Sequence, residues 1–436
     1  MALGEPDAAI ACFRNTIAQQ PDCFEAHTNL GILLQQRGSL AQAEAAFRLS
    51  LAIRPSAETL SNLADLFAKS GRFDESEALY RQSLALQPKP ATYSNYGALL
   101  ACLNREKEAE ACFRASLDLA PDNPNTRFNF SYLLLAQGRF MEGWAHLEAR
   151  HLGKINVPEL PFARWEGESL EGKSLLVWPE FGYGDEIQFC RYLPQLKKAG
   201  ASRIVLACRQ ALETLFGTLK GADEVWPVEN GLPDESFDFW TMPLSIPHHL
   251  RTDFDSIPAE VPYLEASRER IEKWRASMPV EGRMHVGLVW KGNPLHENDA
   301  RRSLSSLSLL APLWDIGDIA FVSLQKGAGE NEAKHSFLPL AHLGSEIQDF
   351  ADSAAILSML DLVISVDTSI VHLAGAMGKP CWAMLPQFKT DWRWLKDRRD
   401  SPWYPTLRLF RQAKDGDWES VILEIRDALQ AIIPAR

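Results

Sequence analysis

The strongest constraint on the fold is a pattern that recurs through the first third of the chain. The segments "ACFRNTIAQQPD", "AAFRLSLAIRPS", "ALYRQSLALQPK" and "ACFRASLDLAPD" end at Pro21, Pro55, Pro88 and Pro121, spaced 34, 33 and 33 residues apart. Gly4, Gly38, Gly71 and Gly138 mark a matching turn between helices, and Asn104 fills the remaining slot. Glycine and asparagine are the residues that tolerate a left-handed backbone at a helix end. Two amphipathic helices fit between successive marks, such as "AHTNLGILLQQRG" and "LAQAEAAFRLSLAIRP". Gly31, Ala43 and Ala46 are small enough for those helices to approach closely. One helix pair cannot bury its apolar face alone, so the units must stack on one another.

A period near 34 with this turn pattern resembles the tetratricopeptide repeat, over residues 1 to about 150. The resemblance implies an α-solenoid whose concave face takes a protein or peptide partner. A spacer, or an arm that joins copies into a homo-oligomer, is the competing use. The first helix lacks its pair, so the chain is expected to begin inside a repeat.

The 436 residues exceed one ordinary core and imply two or three domains. A net charge of -12 argues against a nucleic-acid partner or an anionic membrane surface. No apolar run approaches the roughly 20 residues of a membrane span. The start, "MALGEPDAAIACFRN", lacks the pattern of a signal peptide. Seven cysteines, an odd count, form no C-x-x-C pair and read as reduced thiols in a cytoplasmic protein.

Beyond Pro158 and Pro161, apolar strand-like runs alternate with helical stretches. They are "SLLVWPE" (174–180), "RIVLACR" (203–209) and "FDFWTM" (237–242). A proline-bearing stretch, 243–280, carries one helix, "ASRERIEKWRASM". The alternation restarts with "HVGLVWKG" (285–292), "IAFVSLQKG" (319–327), "LVISVD" (362–367), "CWAMLP" (381–386) and "LRLFRQ" (407–412). An amphipathic helix, "DWESVILEIRDALQAII", closes the chain. Such alternation predicts parallel, doubly wound sheets. The expected class is therefore α plus α/β: repeats over 1–150, one Rossmann-like half over 151–280 and another over 281–436. The last helix is expected to fold back on the first half. Ligands of such sheets sit beyond the carboxyl ends of strands, so the cleft between the halves is the default site.

Four loops carry candidate chemistry. In "EFGYGDEIQF", Gly182 and Gly184 predict a tight open turn and Asp185 starts a helix. Asp185 reads equally as an N-cap or as a cleft carboxylate taking a proton from a hydroxyl. Ile187 stands at the third glycine position, so this is no dinucleotide fingerprint. In "WKGNPLHENDARRS", Lys291, Asn293, Arg301 and Arg302 read either as solvated surface or as a diphosphate clamp. His296-Glu297 fails the H-E-x-x-H pattern because residue 300 is Ala. In "SLQKGAGE", Gln325 and Lys326 would face a base or phosphate, or form a plain turn. In "SVDTSIVHLAGAMGKP", Asp367, Thr368 and Ser369 stand where a strand hands over to a helix, with His372 one turn inside. Orphan N–H groups and the helix dipole favour an anion at that end over simple capping. Neither a paired Asp-x-Asp nor a histidine cluster has ligand spacing, so no catalytic metal is expected.

Together with "LLVWPEFGYGDEIQFCRYLPQL", "FVSLQKG" and "DWRW...SPWYPTLRLFRQ", these blocks resemble bacterial tetratricopeptide-repeat glycosyltransferases. Their catalytic part is similar to the heptosyltransferase group (glycosyltransferase family 9) and, more distantly, to protein O-GlcNAc transferases. The resemblance implies a GT-B fold: an acceptor half, then a nucleotide-sugar half, with no cofactor beyond the sugar donor as substrate. By it, Asp185 corresponds to the general base. Asp367, Thr368 and His372 fall at the donor phosphates, and Arg301 or Arg302 in the basic loop. The chain departs from the usual Glu-Gln-Gly-Leu-Gly-Asp with Phe181 and Tyr183, and carries Lys291 where a small residue is usual.

The function expected on this basis is an inverting, metal-independent glycosyltransferase acting on a protein that the repeats recruit. The alternatives are a lipid-linked or carbohydrate acceptor, and a scaffold whose transferase-like region is inactive.

Overall fold

The structure is a computed structural model that describes residues 6–280 and 284–433. It divides into two compact units, Met1–Leu133 and Leu134–Arg436.

The first unit is a run of antiparallel helix pairs. After Pro6–Gln19 come Phe24–Gln36 with Leu40–Ile53, Ala57–Lys69 with Phe73–Leu86, and Pro90–Cys102 with Glu106–Leu119. Helix Pro124–Ala136 runs across the division between units. Four of the expected turns take left-handed φ values: Gly38 at 75°, Gly71 at 78°, Asn104 at 60° and Gly138 at 74°. Gly4 lies outside the described residues. A Cβ on Gly31 would stand 2.6 Å from the Phe47 ring, and one on Gly97 2.9 Å from Phe113, so close packing recurs with the repeat. A buried hydroxyl also recurs, every 33 residues. Ser50 bonds Thr28 at 2.7 Å, Ser83 donates to the Ala57 carbonyl at 2.6 Å, and Ser116 bonds Thr126 at 2.8 Å. These bonds satisfy backbone and side-chain oxygens inside an otherwise apolar stack.

The second unit contains two parallel sheets. In the first, β1 is Ala163–Arg164, β2 Ser174–Val177, β3 Arg203–Cys208, β4 Glu224–Pro227 and β5 Phe239–Thr241, in the order β1-β5-β2-β3-β4. In the second, β6 is Met284–Val289, β7 Ile319–Ser323, β8 Leu340–His342, β9 Leu362–Val366, β10 Cys381–Leu385 and β11 Leu407–Arg411. Their order is β11-β10-β9-β6-β7-β8. All five residues of β9 and of β10 are buried, as expected where helices cover both faces. The sequence reading lacked β1, β4 and β8, which are edge or near-edge strands of two to four residues. β4 ends in Pro227, a residue that suits only an edge strand.

The closing helix, Trp418–Ile432, does not fold back on the first half. Trp418, Val421, Ile422, Ile425 and Leu429 enter the core of the second sheet beside Val286, Leu288 and Ile364. Their three- and four-residue spacing forms one apolar stripe, and the nearest open apolar sheet face is that of its own half. The connecting helix Arg268–Arg275 is likewise tied to the second half. Arg270, Lys273 and the Trp274 indole all donate to the buried Asp352 carboxylate, the last at 2.8 Å.

Candidate functional site

The strand orders locate the crevices. In the second sheet the chain runs outward from β6 to β7 and β8, then crosses back to β9 and continues to β10 and β11. The reversal falls between β6 and β9, and a ligand crevice opens beyond the carboxyl ends of such a pair. Trp290 to Asn293 follow β6 there, and Asp367 to Ser369 follow β9. In the first sheet the reversal lies between β2 and β5. That position is filled: Glu180, beyond β2, takes two bonds from the fully buried Arg150, at 2.8 and 3.1 Å, and one from the Leu244 amide. Helix Tyr183–Phe189 also starts from this edge.

Gly182 is the N-cap of that helix, with φ −105°, and the left-handed residue of the turn is Phe181 at φ 56°. The glycines therefore do not supply the turn. Gly184 has another purpose: a Cβ there would stand 2.7 Å from the His372 ring. Helix Ser369–Ala376, which follows β9, packs on helix Tyr183–Phe189 at this point. Asp185 is the third residue of its helix, not the cap. Its Oδ2 accepts from the Gly182 amide at 2.9 Å, and its Oδ1 accepts from the Arg393 guanidinium. The N-cap reading of Asp185 is thus corrected, because Gly182 holds that position; one carboxylate oxygen closes the turn and the other meets Arg393 of the second half. Burial raises its pKa above the usual carboxylate range, while Arg393 and the Gly182 amide draw it back.

The opposite wall comes from the second half. Arg393 also meets Asp391 at 3.0 Å and Gln188 at 2.6 Å. The Trp394 indole donates to Asp367 at 2.9 Å. Burial, with Asp391 nearby, pushes Asp367 up to about 6, against the pull of the Trp394 N–H, Arg302 and Arg393. His372 bonds the Tyr404 hydroxyl through Nδ1 at 2.9 Å and stacks on Trp394 at 5.3 Å. Burial, then Arg393 and Arg191, hold its pKa well below the usual value, so the ring is neutral at physiological pH. Thr368 is the N-cap of helix Ser369–Ala376, yet its hydroxyl bonds Ser365 rather than capping the helix. Ser369 is half-buried in the first turn.

The other basic and amide candidates are engaged elsewhere. Lys291 pairs with Glu332, and Arg301 pairs with Asp415 and lies over the Phe388 ring. Lys326 donates to the Ile347 carbonyl at 2.6 Å. Asn293 accepts from the Leu295 amide and closes its own turn. Gln325 does not face a base. Its oxygen accepts from the Trp290 and Lys291 amides, and its nitrogen donates to the Lys291 and Ala328 carbonyls. A buried amide with four such bonds has no capacity left for a ligand. Arg302 pairs with Asp299 at 3.4 Å and also draws on Asp367. The structure therefore gathers Asp185, Gly184, Arg302, Asp367, Thr368 and His372. It adds Asp391, Arg393, Trp394 and Tyr404, to which no local sequence pattern assigns a role.

The repeats hold another row that periodicity alone would have found. Asn29, Asn62, Asn95 and Asn129 recur 33, 33 and 34 residues apart, each in the first helix of a pair. Asn62 Nδ2 is buried without a hydrogen-bond partner, and Asn129 donates to Ser94 at 3.2 Å.

Residues 1–58 and 55–122 match family models described as tetratricopeptide repeat. Protein FlbA of Caulobacter vibrioides is 30% identical over 335 residues, which are 70% of this chain and 54% of that protein. The chain thus spans about half the length of that relative. Among solved structures, MamA aligns at 15% identity over 34% of this chain and 86% of its own, with a TM-score of 0.29. YrrB, titled a TPR protein with an unusual peptide-binding site, aligns at 18% over 32% of this chain and 73% of its own, with a TM-score of 0.28. Pseudomonas aeruginosa pilF aligns at 25% over 30% of this chain and 62% of its own, also at 0.28. The N-terminal region of the chain is a tetratricopeptide-repeat region, and a C-terminal region with two parallel sheets follows it.

Proposed function

We propose that residues 134–436 form a GT-B glycosyltransferase that moves a sugar from a nucleotide sugar to an acceptor hydroxyl with inversion. One observation carries the reading: Asp185, on the carboxyl edge of the first sheet, meets Arg393, its neighbour Gly184 packs on His372, and Trp394 beside Arg393 binds Asp367 at the carboxyl edge of the second. The donor diphosphate would lie against the amides at Thr368–Ser369, where no side-chain oxygen caps the helix. Arg302 would take up charge on the leaving diphosphate. Asp185 would remove the acceptor proton from the opposite side of the sugar carbon. Burial raises its pKa above the usual carboxylate range, which makes the carboxylate a stronger base than a solvated one. The halves must separate there to admit substrate, because Asp185 and Arg393 are in contact.

The repeats would recruit a protein acceptor. Each asparagine of the recurrent row carries a donor and an acceptor, the complement of an extended peptide backbone. A second reading, a scaffold with an inactive transferase-like region, is favoured by the internal partners of Lys291, Arg301 and Lys326.

Thermal-shift measurement with a panel of nucleoside diphosphates separates the two. The transferase reading expects a concentration-dependent rise in Tm for at least one nucleotide, lost in Thr368→Pro. Asp185→Asn should keep that rise and lose sugar transfer by at least ~100-fold. No rise with any nucleotide would leave the scaffold reading.

A further inference from the structure

A cavity of about 380 Å³ lies apart from the crevice between the sheets. Two neighbouring parallel strands feed it. Glu166 and Gly167 come from the turn after β1, and His248 and His249 end the helix Ile246–His249 that follows β5. It therefore opens on the carboxyl edge of the first sheet, beside the reversal that Arg150 and Glu180 occupy. Parallel sheets bind ligands along this edge.

The walls combine apolar surface with one guanidinium and two imidazoles. The Trp144 indole, buried and committed to the Thr252 carbonyl at 2.9 Å, contributes ring surface, and Met141 stands at the rim, 42% exposed. The His249 ring lies 4.9 Å from Trp165. Gly167, at φ 101°, lets the turn pass beneath that ring, since a Cβ there would stand 3.3 Å from His249 Nδ1. The carboxylate in the wall is already matched: Glu166 accepts from Arg164 Nε at 2.6 Å. Arg251 has no ion pair or hydrogen bond from its side chain among the described residues. Neither do the ring nitrogens of His248 and His249 take part in a hydrogen bond among them. The cavity thus presents one guanidinium and two imidazoles over an aromatic floor, and burial holds the His249 pKa below its ordinary value, so that ring offers a neutral N–H.

The geometry points to a binding site for a small organic anion, one carboxylate or phosphate group on an apolar body. The anion pairs with Arg251 and the histidines, and the apolar body lies on Trp144 and Met141. The site is on the half that the proposed function assigns to the acceptor, but it stands without that reading because its test measures binding alone.

The test uses the full chain with histidine ¹³Cε1 labels, the signals being assigned by His248→Gln and His249→Gln. Benzoate and phenyl phosphate are the anionic probes, and benzamide is the neutral isostere of benzoate. The His248 and His249 signals should shift saturably with at least one anion and not with benzamide. Response to benzoate alone assigns the site to carboxylates, and response to phenyl phosphate alone assigns it to phosphates. Arg251→Asn should weaken binding about tenfold, as expected for one charged hydrogen bond. Asparagine tolerates the left-handed backbone of residue 251 (φ 55°), and an unmoved His372 signal reports that the variant is folded. No saturable shift with either anion, an equal response to benzamide, or unchanged affinity in folded Arg251→Asn would overturn the assignment.

Discussion

The Arg393 guanidinium and the Asp185 carboxylate meet although 208 positions separate them along the chain and they come from the two different halves of the α/β region. Arg393 is almost entirely enclosed, its side chain 8% exposed, and it also donates to Asp391 and Gln188. A single cation thus holds carboxylates from both halves of the α/β region. Removing one partner of such a pair leaves buried charge without compensation.

Arg393→Gln should therefore destabilise the second unit by ~3 kcal/mol, read as a lower urea midpoint at pH 7.5. The deficit should shrink as pH falls, because Asp185, whose pKa burial raises, can then take up a proton. Asp185→Asn combined with Arg393→Gln should be less damaging than the sum of the two changes. Additive losses would show that the pair carries no coupling.

Two groups give opposite pH dependence over a shared window. His151 is held down to about 4, first by burial and then by Arg150. The unfolded chain binds its proton more tightly, so stability falls as pH drops from about 6.5 to 4. Asp367, raised to about 6, acts the other way: the folded state binds its proton more tightly, and stability falls as pH rises from about 3.8 to 6. His151→Gln should thus lessen the loss of stability on acidification, and Asp367→Asn should steepen it. Urea midpoints between pH 4 and 7 check both slopes, and parallel curves for the two variants would refute the assignment.

Gly184→Ala should cost ~1–3 kcal/mol, because the new Cβ would overlap a His372 ring that Trp394 and Tyr404 already hold. Gly182→Ala is the control, since its nearest neighbour is Asp185 Oδ2 at 3.4 Å and φ is −105°. Thermal midpoints should fall clearly for the first and little for the second.

In the repeats, Ser83→Ala should destabilise by ~1–2 kcal/mol by leaving the Ala57 carbonyl without its 2.6 Å bond. Ser116→Ala, at the matching position, should behave alike. The two effects, measured by urea denaturation followed by circular dichroism, should be similar in size. A cost confined to one site would mean that the recurrent hydroxyl does not serve the same purpose in each repeat.

The sequence by itself determined the repeat region, because turn residues at Gly38, Gly71 and Asn104 and apolar spacing within each helix are local properties. It determined the alternation of buried strands and helices for the same reason: β9 and β10 are apolar throughout and announce themselves. Strands β1, β4 and β8 are too short for any period to show. Only the tertiary structure decided which charged side chains face which. Gln325, Lys291 and Arg301 lie on the expected loops, yet each finds a partner in its own half. Arg393 and Tyr404, far along the chain from Asp185, complete the candidate site. A side chain's partners depend on how separate elements pack, and no local pattern encodes the meeting of residues two hundred positions apart.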